Sequence, residues 1–282
     1  MEVTTSKSAF RATVAALRRS GDRIGLVPTM GALHAGHLSL IEAAAKSTDH
    51  VVVSVFVNPL QFGQGVESPE YPRDVEGDLE MCRSAGAAAV FAPTEQEIYP
   101  SGKPLVMVST GALGERLEGA FRPGHFEGVA TVVLKLLNIV GECRAYFGEK
   151  DFQQLVIVRR LVEDLDVPAE IDACPTMRDP DGLAISSRNR LLGPKQRTAA
   201  LALYRALEAG REAIESGERD AWSVESEMAH VLDSESRLVP SYAAVADPAR
   251  LCPVETIDGE VRLLVAAELG SVRLIDNLQV TP

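Results

Sequence analysis

The chain has 282 residues, 46% of them apolar, and a formal net charge of −12. It carries no apolar run long enough to span a membrane, and no cluster of Lys and Arg of the kind that a broad nucleic-acid surface needs. Its four cysteines, Cys82, Cys143, Cys174 and Cys252, are scattered without a CxxC pair, which sets aside a disulfide framework and a zinc cage; residues 1–9 lack a signal-peptide pattern, so a cytoplasmic location is expected.

In chain order, buried-strand patterns alternate with helical ones. Strands are expected over 24–28, 51–57, 87–91, 145–147 and 169–173, and amphipathic helices over 9–19, 37–45, 75–85, 128–140 and 152–164. That alternation predicts an α/β fold: a Rossmann-like parallel sheet with right-handed crossovers and helices on both faces. The turn-rich stretch PTMRDPDG at 175–182 ends the alternation, so one domain is expected over 1–175 and a smaller C-terminal α+β domain over 176–282. In the second domain Pro194 fits the first position of a helix running to about 216, and another helix spans 221–233. Strands over 241–245, 261–267 and 272–275 follow, the last two joined as a hairpin through Glu268-Leu269-Gly270-Ser271.

The segment PTMGALHAGH at 28–37 follows the first buried strand, so Gly36 and His37 fall near a helix start. Unpaired N–H groups and the positive dipole end attract anions there, and two imidazoles three residues apart can face one phosphate. A histidine at such a position tends to stay neutral while still donating one hydrogen bond. Taken alone, the residues equally suit a tight turn with two incidental histidines. Strand 51–57 is apolar on both faces and then delivers Asn58 and Gln61, amides suited to hydroxyl and carboxylate oxygens, or else a plain turn with a solvated Gln61. The fourth strand delivers Gly148, Lys150, Asp151, Gln153 and Gln154, where Lys150 either reaches a phosphate or pairs with Asp151 at the surface. Open parallel sheets bind ligands beyond the carboxyl ends of their strands, so these three strand ends form one constellation. Beyond the domain boundary, Ser186-Ser187-Arg188-Asn189-Arg190 joins two hydroxyls to guanidinium groups, fit to hold a pyrophosphate or simply to cap a helix approach. The glycine-bearing stretch 63–69 reads as a mobile gate or a surface loop.

Together, PTMGALHAGH at 28–37, FVNPLQF at 56–62, YPRD at 71–74, RLEGAFRPGHFEGVATVVLKL at 116–136, YFGEKDFQQL at 146–155, ISSRN at 185–189 and RLLVAAELGSVRLIDN at 262–277 closely resemble the pantothenate synthetase (pantoate:beta-alanine ligase) family of the HxGH nucleotidyltransferase superfamily. The likeness covers nearly the whole chain. It implies a two-step condensation: ATP and pantoate give pantoyl adenylate and pyrophosphate, and the amine of beta-alanine then displaces AMP. It further implies that His34, His37, Lys150 and Arg188 are catalytic, and that ATP is bound by these four with Met30, Gly148, Asp151, Ser186 and Ser187. Asn58, Gln61 and Gln154 would hold pantoate, and Glu118 and Tyr71 would lie near the site. Mg2+ would bridge phosphate oxygens without a protein cage. A homodimer and a lid role for the C-terminal domain are implied by resemblance alone. Gly77 stands where some members carry an acidic residue, so a metal role for Asp78 does not carry over; Phe152 and Ile185 replace a tyrosine and a methionine with other apolar side chains. Two rivals remain at this point, an HxGH adenylyltransferase acting on a phosphorylated cofactor precursor and a nucleotide-sensing module. The amide pair Gln61 and Gln154 suits a hydroxyl better than a second phosphate.

Overall fold

The structure, a computed structural model, describes residues 1–62 and 74–282. The expected gate at 63–69 and Tyr71 lie outside the described residues. The chain divides into two compact units: Met1–Glu149 with Ile157–Pro175, and Lys150–Val156 with Thr176–Pro282. The sequence places 150–156 in the first domain; in the structure this segment groups with the second unit.

The first unit alternates strands and helices: β1 (Glu2–Thr4), α1 (Lys7–Leu17), β2 (Ile24–Thr29), α2 (Ala35–Ser47), β3 (His50–Val55), α3 (Val75–Ser84) and β4 (Ala89–Phe91). Three short helices follow, α4 (Glu95–Ile98), α5 (Gly111–Glu115) and α6 (Glu118–Phe121), then α7 (His125–Val140), β5 (Cys143–Gly148), α8 (Phe152–Asp164) and β6 (Ala169–Cys174). Among the described residues these strands form one parallel sheet in the order β1-β4-β3-β2-β5-β6. From β2 the chain winds outward through β3 and β4, then returns to place β5 on the other side of β2. That reversal, between β2 and β5, is the switch point where doubly wound sheets bind ligands. Strand β1, three residues long, carries too little periodicity to be read from sequence and pairs with β4 at the sheet edge.

The runs that read as buried strands are buried. Val51, Val52 and Val53 of β3 and Leu26 and Val27 of β2 lie between two helical layers. On one side Leu40, Ile41 and Ala44 of α2 and Cys82 of α3 close over Val27, Val53, Val90 and Tyr146. Phe10 of α1 stacks on Phe91 of β4 with ring centroids 4.7 Å apart.

The second unit, apart from its segment Lys150–Val156, runs from an irregular stretch into α9 (Pro194–Glu215) and α10 (Ala221–Asp233), then β7 (Val239–Ala246), β8 (Val261–Leu269) and β9 (Val272–Val280). The strands form an antiparallel sheet in that order, with β8 and β9 as the expected hairpin. Small residues on α9 (Ala199, Ala202, Ala206 and Gly210) let it lie close against α10 and β8; a Cβ at Gly210 would stand 2.8 Å from Met228. Among the described residues no helix is long and apolar enough to cross a membrane.

Candidate active site

Strand β2 ends at Thr29, whose hydroxyl donates to the Ser54 carbonyl (2.9 Å) and accepts from the Gly31 N–H (3.2 Å). The chain then turns through two successive left-handed residues, Gly31 (φ 86) and Ala32 (φ 51). Such a turn aims consecutive N–H groups at one point and makes a concave anion seat. The anion is supplied by the protein: Asp78 of α3, 3% exposed, accepts from the Ala32 N–H (2.9 Å) and the Leu33 N–H (2.7 Å). A Cβ at Gly31 would meet the Asp78 carboxylate at 2.8 Å, so glycine is required there both for its φ and for space. Asp78 therefore braces the turn that presents the histidines, with both of its oxygens turned onto backbone amides.

Helix α2 begins two residues earlier than the apolar pattern indicates, and its N-cap is His34 itself. The ring Nδ1 of His34 accepts from the Gly36 N–H at 3.2 Å, which places the ring proton on Nε2 as a donor. A Cβ at Gly36 would stand 3.0 Å from that ring, so Gly36 lets the imidazole lie back over the first turn. The His37 ring lies 4.1 Å from that of His34, tilted by 39°. Two imidazoles thus share the positive end of a 13-residue helix, an arrangement fit to receive phosphate oxygens.

Strand β3, the neighbour of β2, leads through Phe56 and Val57 to Asn58 and a turn over Pro59–Gln61. Asn58 is 1% exposed, and its amide donates to the Gly128 carbonyl (3.0 Å) and to Gln61 Oε1 (3.2 Å) while accepting from the Leu60 N–H and the Tyr99 hydroxyl. The nearly buried Gln61 directs Nε2 at the Met30 sulfur, 2.7 Å away, which joins the ends of β2 and β3. From α7, His125 Nδ1 donates to the Gln61 carbonyl at 2.8 Å, and Arg122 Nη1 donates to His125 Nε2 at 3.2 Å. Gly128 of α7 lies so close that a Cβ would stand 2.4 Å from the Leu60 carbonyl oxygen. Met30, His34, His37, Asn58 and Gln61 are therefore gathered on adjoining strand ends, and Gly148 ends β5 on the other side of β2. Glu118 is buried on α6, which follows the left-handed Leu117 (φ 47).

The second unit holds the remaining expected residues. Lys150 lies in the turn Glu149–Asp151, its Nζ 3.5 Å from Asp151 Oδ1. Asn277 of β9 donates to the Lys150 carbonyl (2.8 Å) and accepts from Arg262 Nε (2.7 Å), and the Arg262 guanidinium lies 4.0 Å over the Phe152 ring. Gln154, half-buried, follows on α8. Ser186 caps the turn Ser187–Leu191 by accepting from the Arg188 N–H at 3.3 Å. Ahead of that turn, Arg178 forms a two-pronged ion pair with buried Asp276 (2.6 and 2.9 Å) and covers the Tyr204 ring at 4.4 Å. Adjacent residues in the middle of β9, Asp276 and Asn277, thus hold both the stretch before Ser186 and the backbone of Lys150. Among the described residues no group of three or more His, Cys, Asp and Glu side chains is arranged to hold a metal ion.

Sequence reasoning missed the roles of Asp78, Tyr99, His125, Arg178 and the pair Asp276-Asn277. Their side chains act on residues distant in the chain. For His125, Asp276 and Asn277 the available signal was their place inside blocks that resemble the family.

A family model described as Pantoate-beta-alanine ligase matches residues 2–279. The chain is 49% identical over 278 residues to a pantothenate synthetase of Moorella thermoacetica, covering 99% of this chain and 98% of that protein. It is 54% identical over 261 residues to one of Salinispora arenicola, covering 91% and 90%. Among solved structures, a pantothenate synthetase from Thermus thermophilus superposes with a TM-score of 0.94 at 44% identity over the full length of both chains. A pantoate-beta-alanine ligase from Francisella tularensis, complexed with beta-gamma ATP and beta-alanine, gives 0.82 at 34% identity, covering 99% of this chain and 97% of that one.

Proposed function

We propose, on the premise that this chain belongs to the pantoate-beta-alanine ligase family, that it joins its two substrates by way of a pantoyl adenylate formed at the carboxyl edge of the parallel sheet. The protein is a ligase that couples ATP to the condensation of pantoate with beta-alanine. A free carboxylate acylates amines poorly because its leaving group would be oxide. One pantoate carboxylate oxygen therefore attacks the α-phosphorus of ATP, the bond to the bridging oxygen breaks, and pyrophosphate leaves. The amine of beta-alanine then attacks the acyl carbon of the mixed anhydride, loses a proton, and AMP departs. No protein nucleophile is needed; catalysis rests on alignment and on neutralising the charge that grows on the phosphates.

The observation that carries this reading is the capped His34, whose Nε2–H donor shares the N-terminus of α2 with His37. We assign these two histidines, with Met30 and Gly148, to ATP. Gln61 is assigned to the pantoate oxygens, with Asn58 supporting it from behind. In the second unit we assign Lys150, Asp151, Ser186, Ser187 and Arg188 to ATP and Gln154 to pantoate, on the match of their motifs to the family. Mg2+ is assigned to ATP's own phosphate oxygens, as part of the substrate. A homodimer in the cytoplasm completes the reading, again from the family.

Pantoate-dependent exchange of labelled pyrophosphate into ATP isolates the first step. His34→Ala and His37→Ala should each slow exchange by about 100- to 1,000-fold, as for loss of one transition-state donor, while leaving the folded state intact. Exchange within threefold of the unaltered protein in both variants would remove the histidines from the mechanism.

A further inference from the structure

The amide of Asn58 has its orientation dictated by the backbone. The Leu60 N–H can only donate and so faces Oδ1, while the Gly128 carbonyl can only accept and so faces Nδ2. Turning the amide over would set two donors and two acceptors against each other at a residue 1% exposed. The Tyr99 hydroxyl donates to the same Oδ1 at 2.8 Å, closer than the 3.3 Å of the Leu60 N–H, and so is the tighter hold on that oxygen. Tyr99 follows α4, beyond β4, which brings a third neighbouring strand end of the sheet to this cluster. Its ring is fixed by Phe56 at 6.1 Å and by the Lys135 ammonium 5.4 Å over its face. Burial above all, and then the nearby charge of Glu95, push the phenol well above its usual pKa, so it keeps the proton that it donates.

The polarity then passes one step further. The second Nδ2 proton of Asn58 goes to Gln61 Oε1 at 3.2 Å, which turns the Gln61 carbonyl inward and leaves Nε2 directed at the Met30 sulfur. A thioether is a weak acceptor, readily replaced by a ligand oxygen. Building on the assignment of Gln61 to pantoate above, we propose that Tyr99 is a positioning residue that, through Asn58, holds Gln61 as a hydrogen-bond donor, so that this subsite selects an acceptor oxygen of pantoate.

Tyr99→Phe keeps the ring and removes the one donor. It should raise the KM for pantoate by about tenfold, with kcat and the KM for ATP changed less than twofold. It should also narrow the preference for pantoate over one of its two monodeoxy analogues, a change that a loss of fold stability would not produce. On a Gln61→Ala background it should have no further effect, because it acts only through Gln61. In the unaltered protein, the Gln61 side-chain 15N–1H signals should move on addition of pantoate, and unmoved signals would overturn the proposal without any variant. If Gln61→Ala leaves the pantoate KM unchanged, the assignment of Gln61 fails and the relay with it. If Gln61→Ala raises that KM while Tyr99→Phe does not, or if the two effects multiply, the relay alone is overturned.

Discussion

Asp78→Asn should destabilise the protein measurably, although it keeps the size and shape of the side chain. Both carboxylate oxygens accept from backbone amides, Ala32 N–H at 2.9 Å and Leu33 N–H at 2.7 Å, at a position 3% exposed. Hydrogen bonds to a charged acceptor contribute about 1.5–3 kcal/mol each. Asparagine retains one of them and sets its NH2 against the other N–H, so one bond is lost and a buried donor is stranded at a further cost of about 1–3 kcal/mol. Together these predict a loss of about 2.5–6 kcal/mol, offset in part if Ala32 relaxes from its left-handed conformation, which itself costs about 1–2 kcal/mol. The same relaxation displaces His34, two residues on, and a shift of about 1 Å at a reacting group can lower a rate by about 100-fold. Urea unfolding reads the first effect, and pyrophosphate exchange under conditions where the variant is fully folded reads the second. If Asp78→Asn unfolds within about 0.5 kcal/mol of the unaltered protein, well inside the contribution of even one such bond, the brace does not exist. If stability falls but exchange in the folded protein stays within threefold, Asp78 supports the fold without placing the histidines.

Gly128→Ala would set a Cβ 2.4 Å from the Leu60 carbonyl oxygen and 2.8 Å from the Gln61 nitrogen, so the turn Pro59–Gln61 or α7 must shift. Overpacking of this kind costs about 1–3 kcal/mol, and the variant should show a lower Tm together with a raised KM for pantoate; an unchanged pair of values would mean that the contact is looser than described. Burial pushes the thiols of Cys82 and Cys174 up to about 11 and that of Cys143 up to about 12, from a usual value near 9, whereas Cys252 is half-exposed. At pH 8 a thiol reagent should therefore label one cysteine of the native protein rapidly and all four after unfolding, and more than one fast equivalent would contradict the burial. Because these three pKa values are raised on folding, the stability they contribute is fully present below about pH 9 and is lost as pH rises through 11 to 12, so unfolding free energy should decline along that alkaline limb.

Much of the architecture was legible because burial leaves a periodic mark. The apolar run 51–57 could only be a central strand, the alternation of such runs with amphipathic segments required a doubly wound sheet, and the turn-rich PTMRDPDG marked the end of that sheet. The histidines of PTMGALHAGH and the amides of FVNPLQF were visible for a related reason: polar side chains that abruptly follow a buried strand fall at the carboxyl edge of the sheet. Periodicity says nothing about a three-residue edge strand such as β1, whose existence depends on β4 offering a partner. Nor does it say which residue closes a helix end; His34 caps α2 because the turn held by Asp78 brings its ring back over Gly36. The roles of Asp78, of Tyr99 behind Asn58 and Gln61, of His125 at the Gln61 carbonyl and of Asn277 at the Lys150 carbonyl join residues 41 to 127 positions apart in the chain. A local pattern records which face of an element is buried, but a side chain's partner is set by which strands lie side by side, and that is decided only when the whole sheet has formed.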